Sequence, residues 1–134
     1  MSQHRRILFV CLHGAAKSVL AAVDCERLAA ARGIDVTADF AGTEPDADIA
    51  PAVAAALRAD GTDLRGKKPR LVTVGDVAAA DQVVAFGCDL GAARVAGARI
   101  EQWADVPAVS NGLPVARAAI RARLEQLIDG WAAR

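Results

Sequence analysis

Neither sign of charge is in excess in this chain: sixteen Lys and Arg are balanced by sixteen Asp and Glu, for a formal net charge of zero. That leaves no electrostatic footprint for nucleic acid or for an anionic membrane surface. No apolar run approaches the roughly 18–20 residues needed to span a bilayer. The apolar segment Ile7-Leu8-Phe9-Val10 comes too early for a signal peptide with its cleavage site, so a cytoplasmic location is the expectation. Three cysteines at wide spacing are an odd number and exclude a secreted disulfide framework. There is no Cys-x-x-Cys and no histidine cluster, so neither a metal nor a cofactor is called for. Internal repeats, low-complexity tracts and linkers are also missing. A length of 134 residues, 54% of them hydrophobic, is expected to form one domain over 1–134.

What the chain does have is concentrated in Cys11-Leu12-His13-Gly14-Ala15-Ala16-Lys17-Ser18. The stretch follows a strand-like apolar run and precedes an Ala-rich helical pattern. A cysteine at a strand end, a loop of small residues and a serine at the head of a helix make an anion site, because loop amides and the helix N-terminus converge there. The same positive field favours the thiolate form of Cys11. Lys17 is either a ligand of the anion or a solvated lysine at the helix start. Ser18 is expected both to cap the helix and to donate to the thiolate.

Strand and helix patterns alternate along the chain. Arg6–Val10 reads as a buried parallel strand, and 18–32 as a helix stopped by Gly33. Ile34–Ala41 has strand alternation, and Pro51 opens a helix that runs to Gly61. Thr73 or Asp76 is placed to cap a short helix ending near Ala80. Gln82–Phe86 is a second buried strand and Arg94–Ile100 a weaker one. Ile120, Leu124, Leu127, Ile128 and Trp131 mark a long amphipathic C-terminal helix. The order predicts an α/β fold, a three-layer sandwich in which a four-stranded parallel sheet has helices on both faces. Ligands in such folds bind beyond the carboxyl ends of the strands, where the Cys11 loop falls.

The segment from Phe9 to Ser18 resembles the phosphate loop of the low-molecular-weight protein tyrosine phosphatases and of their relatives, the cysteine-dependent arsenate reductases. Ala41-Gly42-Thr43-Glu44-Pro45, Asp60-Gly61-Thr62-Asp63-Leu64 and Lys68-Pro69 are similar to the reductases' middle region. Ala80 to Val84 and Phe86-Gly87-Cys88 resemble their strand ending at a redox cysteine. Trp103-Ala104-Asp105-Val106-Pro107-Ala108 resembles the late loop that bears the acid. Three departures stand out. The loop arginine is replaced by Lys17, which keeps the charge but loses the two-pronged donor geometry suited to a tetrahedral anion. The residue before Pro107 is Val106, with Asp105 one place early. Only Cys88 follows the nucleophile at a redox position, so a relay through three thiols is ruled out unless Cys25 joins it.

The resemblance implies that Cys11 attacks arsenate or a phosphomonoester, with Leu12, His13, Gly14, Ala15, Ala16 and Lys17 forming the oxyanion-binding loop. Asp105 would protonate the leaving oxygen. Water would then complete a phosphatase cycle, whereas Cys88, a small-molecule thiol or a thioredoxin-type reductant would complete a reductase cycle. Phosphotyrosine-directed relatives resemble one another in carrying rings beside the acid loop. This chain has no tyrosine and presents Pro107-Ala108-Val109 there, which favours a small inorganic oxyanion (arsenate, phosphate or sulfate). Neither nucleic acid nor a membrane is expected as partner. For Cys88 the alternative is a small core residue at a strand end, and for the whole chain an oxyanion-binding domain with little turnover. Cys25 and Trp103 are expected in the core, and His13 is expected to shape the loop rather than act as a base.

Overall fold

A computed structural model describes residues 4–64 and 66–133. Four parallel strands lie in the order β2-β1-β3-β4: β1 Arg5–Cys11, β2 Val36–Gly42, β3 Gln82–Ala85 and β4 Ile100–Gln102. Around them run α1 Lys17–Ala31, α2 Pro51–Ala59, α3 Val74–Ala79 and α4 Leu113–Ala132. Side chains of β1 alternate between two cores. Ile7, Phe9 and Cys11 face α1 and α4, among Leu20, Ile120, Leu124 and Trp103. Leu8 and Val10 face the opposite way, among Val72, Val77 of α3 and Leu90. The expected three layers are therefore present, the second helical layer being thin.

The weak strand expected over Arg94–Ile100 is not one. Gly91–Ala93 forms a single 3₁₀ turn, and the chain reaches β4 only at Ile100. Gly97 adopts φ +82°, which no strand accommodates, and Arg94 and Arg99 disrupt the apolar run a buried strand needs. In α3 the cap is Thr73, whose hydroxyl accepts from the Asp76 amide while the Asp76 carboxylate accepts from the Thr73 amide. At the exposed edge of β2, the amide of Ala38 donates to Glu26 Oε2 of α1 at 2.9 Å, and that of Phe40 donates to Asp39 Oδ1 at 2.8 Å.

The helix that begins at the Cys11 loop is fixed from behind by a buried charge cluster. Asp24 of α1 is 1% exposed. It accepts two hydrogen bonds from Arg117 of α4, both 2.9 Å, and one from Arg121 at 3.1 Å. Arg117 reaches on to Asp60 at the end of α2, 2.7 Å away. Burial pushes the Asp24 carboxyl up, but the hydrogen bonds and charges of the two arginines outweigh it and hold the group below its ordinary value. A depressed carboxylate contributes stability that is complete above its unfolded-state pKa and is lost as pH falls through its folded one. Denaturant unfolding of the native chain should therefore show stability falling below about pH 4. Asp24→Asn should flatten that fall and lower stability at neutral pH by about 3 kcal/mol, because it takes the buried negative charge from between Arg117 and Arg121 and leaves Arg117 only its pair with Asp60.

Candidate active site

Cys11 ends β1 with its Sγ 3.0 Å from the hydroxyl of Ser18, and both residues are buried. The loop from Leu12 to Ala16 turns back over the end of β2. The carbonyls of Cys11, Leu12, His13 and Ala15 accept from the amides of Thr43, Glu44, Asp46 and Ala50, at 3.3, 2.7, 3.0 and 3.0 Å. The amides of Leu12 to Lys17 find no acceptor among the described residues. A loop whose carbonyls are drawn to one side, with its amides unspent, is a nest for an anion. The N-terminus of α1 adds to it, since no side chain caps that end and no acidic residue lies in the first turn.

The fit depends on two glycines. Gly14 has φ +59°, and a Cβ there would lie 2.7 Å from the Gly42 nitrogen. A Cβ on Gly42 would lie 2.6 Å from the Gly14 nitrogen. The loop thus touches β2 backbone to backbone, which no other residue pair permits. The signal in the sequence is Gly42, outside the loop itself: a glycine ending a strand often marks a close backbone approach.

Ser18 is the second residue of α1 and does not cap the helix. The residue preceding α1 is Ala16, so the expected cap is corrected. The Ser18 hydroxyl is turned instead to Cys11. Lys17 is half-buried, and its Nζ donates to the carbonyl of Val106, 3.1 Å away, across to the late loop. His13 Nδ1 lies 3.1 Å from the Glu44 carbonyl and 3.3 Å from Asp46 Oδ1, which pins the loop from outside. Leu12 is exposed at the rim, and Ala15 is buried.

The late loop runs from Trp103, which is buried against Phe9 and Phe86 with ring centroids 6.0 and 5.8 Å apart. Val106 is buried as well. Asp105 lies on the surface in an ion pair with Arg123 of α4. That hydrogen bond holds its carboxyl below the ordinary carboxylate value. In this structure the carboxylate of Asp105 is thus engaged by Arg123.

Cys88 is half-buried, with Sγ 3.6 Å from the carbonyl of Val10, the residue before Cys11. It packs with the core on the α3 side, whereas Cys11 packs with the α1 and α4 side. Burial pushes the Cys88 thiol up, and the neighbouring charge of Cys11 pushes it further. Cys25 lies within α1, and its thiol is pushed up to about 12, chiefly by burial. Among the described residues no group of His, Cys, Asp and Glu could hold a metal ion, and no helix is long and apolar enough to cross a membrane.

The family model for low molecular weight phosphotyrosine protein phosphatase matches residues 6–102. The chain belongs to this family. No curated protein matches the sequence significantly. Among solved structures, a thioredoxin-dependent arsenate reductase of Corynebacterium glutamicum shares 24% identity with a TM-score of 0.80, over 96% of this chain but 62% of its own. YfkJ of Bacillus subtilis shares 24% identity with a TM-score of 0.81, over 96% and 95% of the two chains. An arsenate reductase of Archaeoglobus fulgidus shares 24% with a TM-score of 0.71, over 92% and 98%. The four-stranded parallel α/β architecture is common to them.

Because Ser18 is buried and its hydroxyl meets Cys11, Ser18→Ala should slow alkylation of Cys11 by iodoacetamide at neutral pH, with Cys25 as the unreactive internal reference in mass spectrometry. Gly42→Ala should unseat the loop and lower stability by about 1–3 kcal/mol, the usual cost of forcing atoms into a packed contact. Thermal unfolding measures it.

Proposed function

We propose that this protein is a small-oxyanion enzyme of the arsenate reductase and low-molecular-weight phosphatase type, and that its substrate is arsenate. The observation that carries the reading is the buried Cys11–Ser18 pair beneath a loop whose carbonyls are tied outward and whose amides are unspent. The Cys11 thiolate, its sulfur 3.0 Å from the Ser18 hydroxyl, attacks arsenic. The amides and Lys17 stabilise the charge on the remaining oxygens. The leaving oxygen departs as water with a proton drawn from solvent, forming a Cys11–arsenic bond.

The second step calls on Cys88. Its thiolate attacks the Cys11 sulfur, the electron pair of the sulfur–arsenic bond passes to arsenic, and arsenite leaves behind a Cys11–Cys88 disulfide. An external dithiol of the thioredoxin type, or a small thiol, returns both sulfurs to the reduced state. Cys25 is too deeply buried to take part. Cys88 borders a recess of about 250 Å³ that is also lined by Asp89, Arg94 and Gln102, which offers a reductant its access.

Two features favour arsenate over a phosphomonoester. Asp105 is engaged by Arg123 at the surface and so offers an alkoxide leaving group no proton, whereas arsenate exchanges its oxygens with solvent readily. The late loop carries Pro107, Ala108 and Val109, so it has no ring on which to stack an aryl ester. The cytoplasm, with its thiol reductants, is the setting this chemistry needs.

The test is paired turnover of arsenate, with a thiol reductant, and of para-nitrophenyl phosphate. Cys11→Ser should abolish both. Cys88→Ser should leave covalent capture of arsenate intact while stopping turnover with thioredoxin. Phosphate-ester turnover that survives Cys88→Ser, with no arsenate reduced by the native chain, would instead make the protein a phosphatase. Sulfate binding without either turnover would reduce it to an anion-binding domain. Lys17→Arg should tighten sulfate and raise turnover, since one preorganised donor to the transition state is worth about 100–1,000-fold in rate. The raised Cys88 thiol also sets a pH dependence. Disulfide formation should quicken about tenfold per pH unit from pH 6 into the alkaline range, as the thiolate fraction grows.

A further inference from the structure

The late loop is tied to the body of the protein in an unusual way. Its root is the buried Trp103, whose amide donates to the Ala85 carbonyl at the end of β3, 2.7 Å away. Beyond that point, the amides of Asn111 and Gly112 donate to carbonyls of the same segment, Ala108 and Val109. Two cations supply the polar ties in between. Arg123 holds Asp105 at the surface, and Lys17 holds the Val106 carbonyl from the side of the Cys11 loop. These two contacts differ in kind. The Arg123 tie is exposed and independent of the nest. The Lys17 tie is half-buried and comes from the residue that closes the nest.

We propose that Lys17 is a positioning residue that couples anion binding to the late loop. An ammonium has three donors and accepts nothing. One donor is committed to Val106, and the others remain for an oxyanion in the nest. An anion there gives the ammonium a partner of opposite charge. It thereby fixes the ammonium, and with it the Val106 carbonyl to which the ammonium is bonded. Anion binding thus tightens the segment 103–107 over the site, and by linkage a tightened loop raises the affinity for the anion. The feature that costs the site its forked donor is the one that provides the tether: a guanidinium spends its donors in one plane, while the ammonium directs them apart. The inference rests on the nest as the site of the proposed function and adds a second task for its cation.

Amide hydrogen exchange with inorganic sulfate separates the two. Sulfate should protect the amides of 12–17, which reports occupancy of the nest. In the native chain it should also slow exchange over 104–108 by about tenfold, the scale of an ordinary coupling between sites. Lys17→Met, compared at sulfate concentrations that give equal protection of 12–17, should lose the slowing over 104–108. Lys17→Arg should keep part of it, and Arg123→Ala should speed exchange there with and without sulfate while preserving the sulfate effect. Protection of 12–17 with no change over 104–108 in the native chain would overturn the coupling and leave the nest standing. So would equal slowing in Lys17→Met. Protection of neither segment would overturn both. If Lys17→Met fails to fold, Lys17→Gln, one bond shorter but still a donor and without charge, takes its place: retained slowing at equal occupancy would overturn the role of the charge.

Discussion

Everything at the site depends on the contact between two backbones that lack side chains, Gly14 in the loop and Gly42 at the end of β2. Their close approach lets the segment from Thr43 to Ala50 reach the loop carbonyls. With the carbonyls drawn to that side, the amides are left for an anion. The positive φ of Gly14 and the uncapped start of α1 then point two sources of partial positive charge at one place. Cys11 sits there because β1 ends there. The chemistry is thus set by main-chain geometry first, and side chains adjust it.

Three side chains make the adjustments. Ser18 offers its hydroxyl to the sulfur rather than to the helix end, so the helix terminus keeps its unspent amides. Lys17 brings charge but shares it with a carbonyl of another loop. Asp105, the carboxylate nearest in sequence to the position of an acid, is held ionised at the surface by Arg123. A buried thiol, a single ammonium and a carboxylate already paired with Arg123 are therefore what the side chains bring to this end of the sheet. Cys88 packs with the opposite core, yet its thiol donates to the carbonyl just before Cys11. The two thiols belong to different cores.

Much of the fold and of the site is legible in the sequence, and the parts that are not share a cause. The buried strands β1 and β3, the long α4 and the loop itself announce themselves through local pattern: continuous apolar runs, helical spacing, a cysteine between strand and helix. The segment before β4 misleads because β-branched residues at Val95 and Ile100 resemble a strand until Gly97 is seen to turn the chain. Ser18 resembles a cap because serine before a helix commonly is one; only its distance from Cys11 shows the competing use. The Lys17 tether joins residues 89 positions apart, and the Asp24–Arg117 pair 93. No spacing rule in the sequence reports on contacts of that kind.

The edge of the sheet carries a last consequence. A strand with open amides is an invitation to any other extended chain. On β2 that invitation is withdrawn from within, since Glu26 and Asp39 take the outward amides of Ala38 and Phe40 and place negative charge along the rim. An incoming strand would have to displace two carboxylates, one of them already held by Arg70, and then the Arg70 carbonyl that takes the amide of Gly42. Growth of the sheet from one molecule into the next is therefore discouraged on this side, in part by an acid, Glu26, that also anchors α1 to the strand it covers.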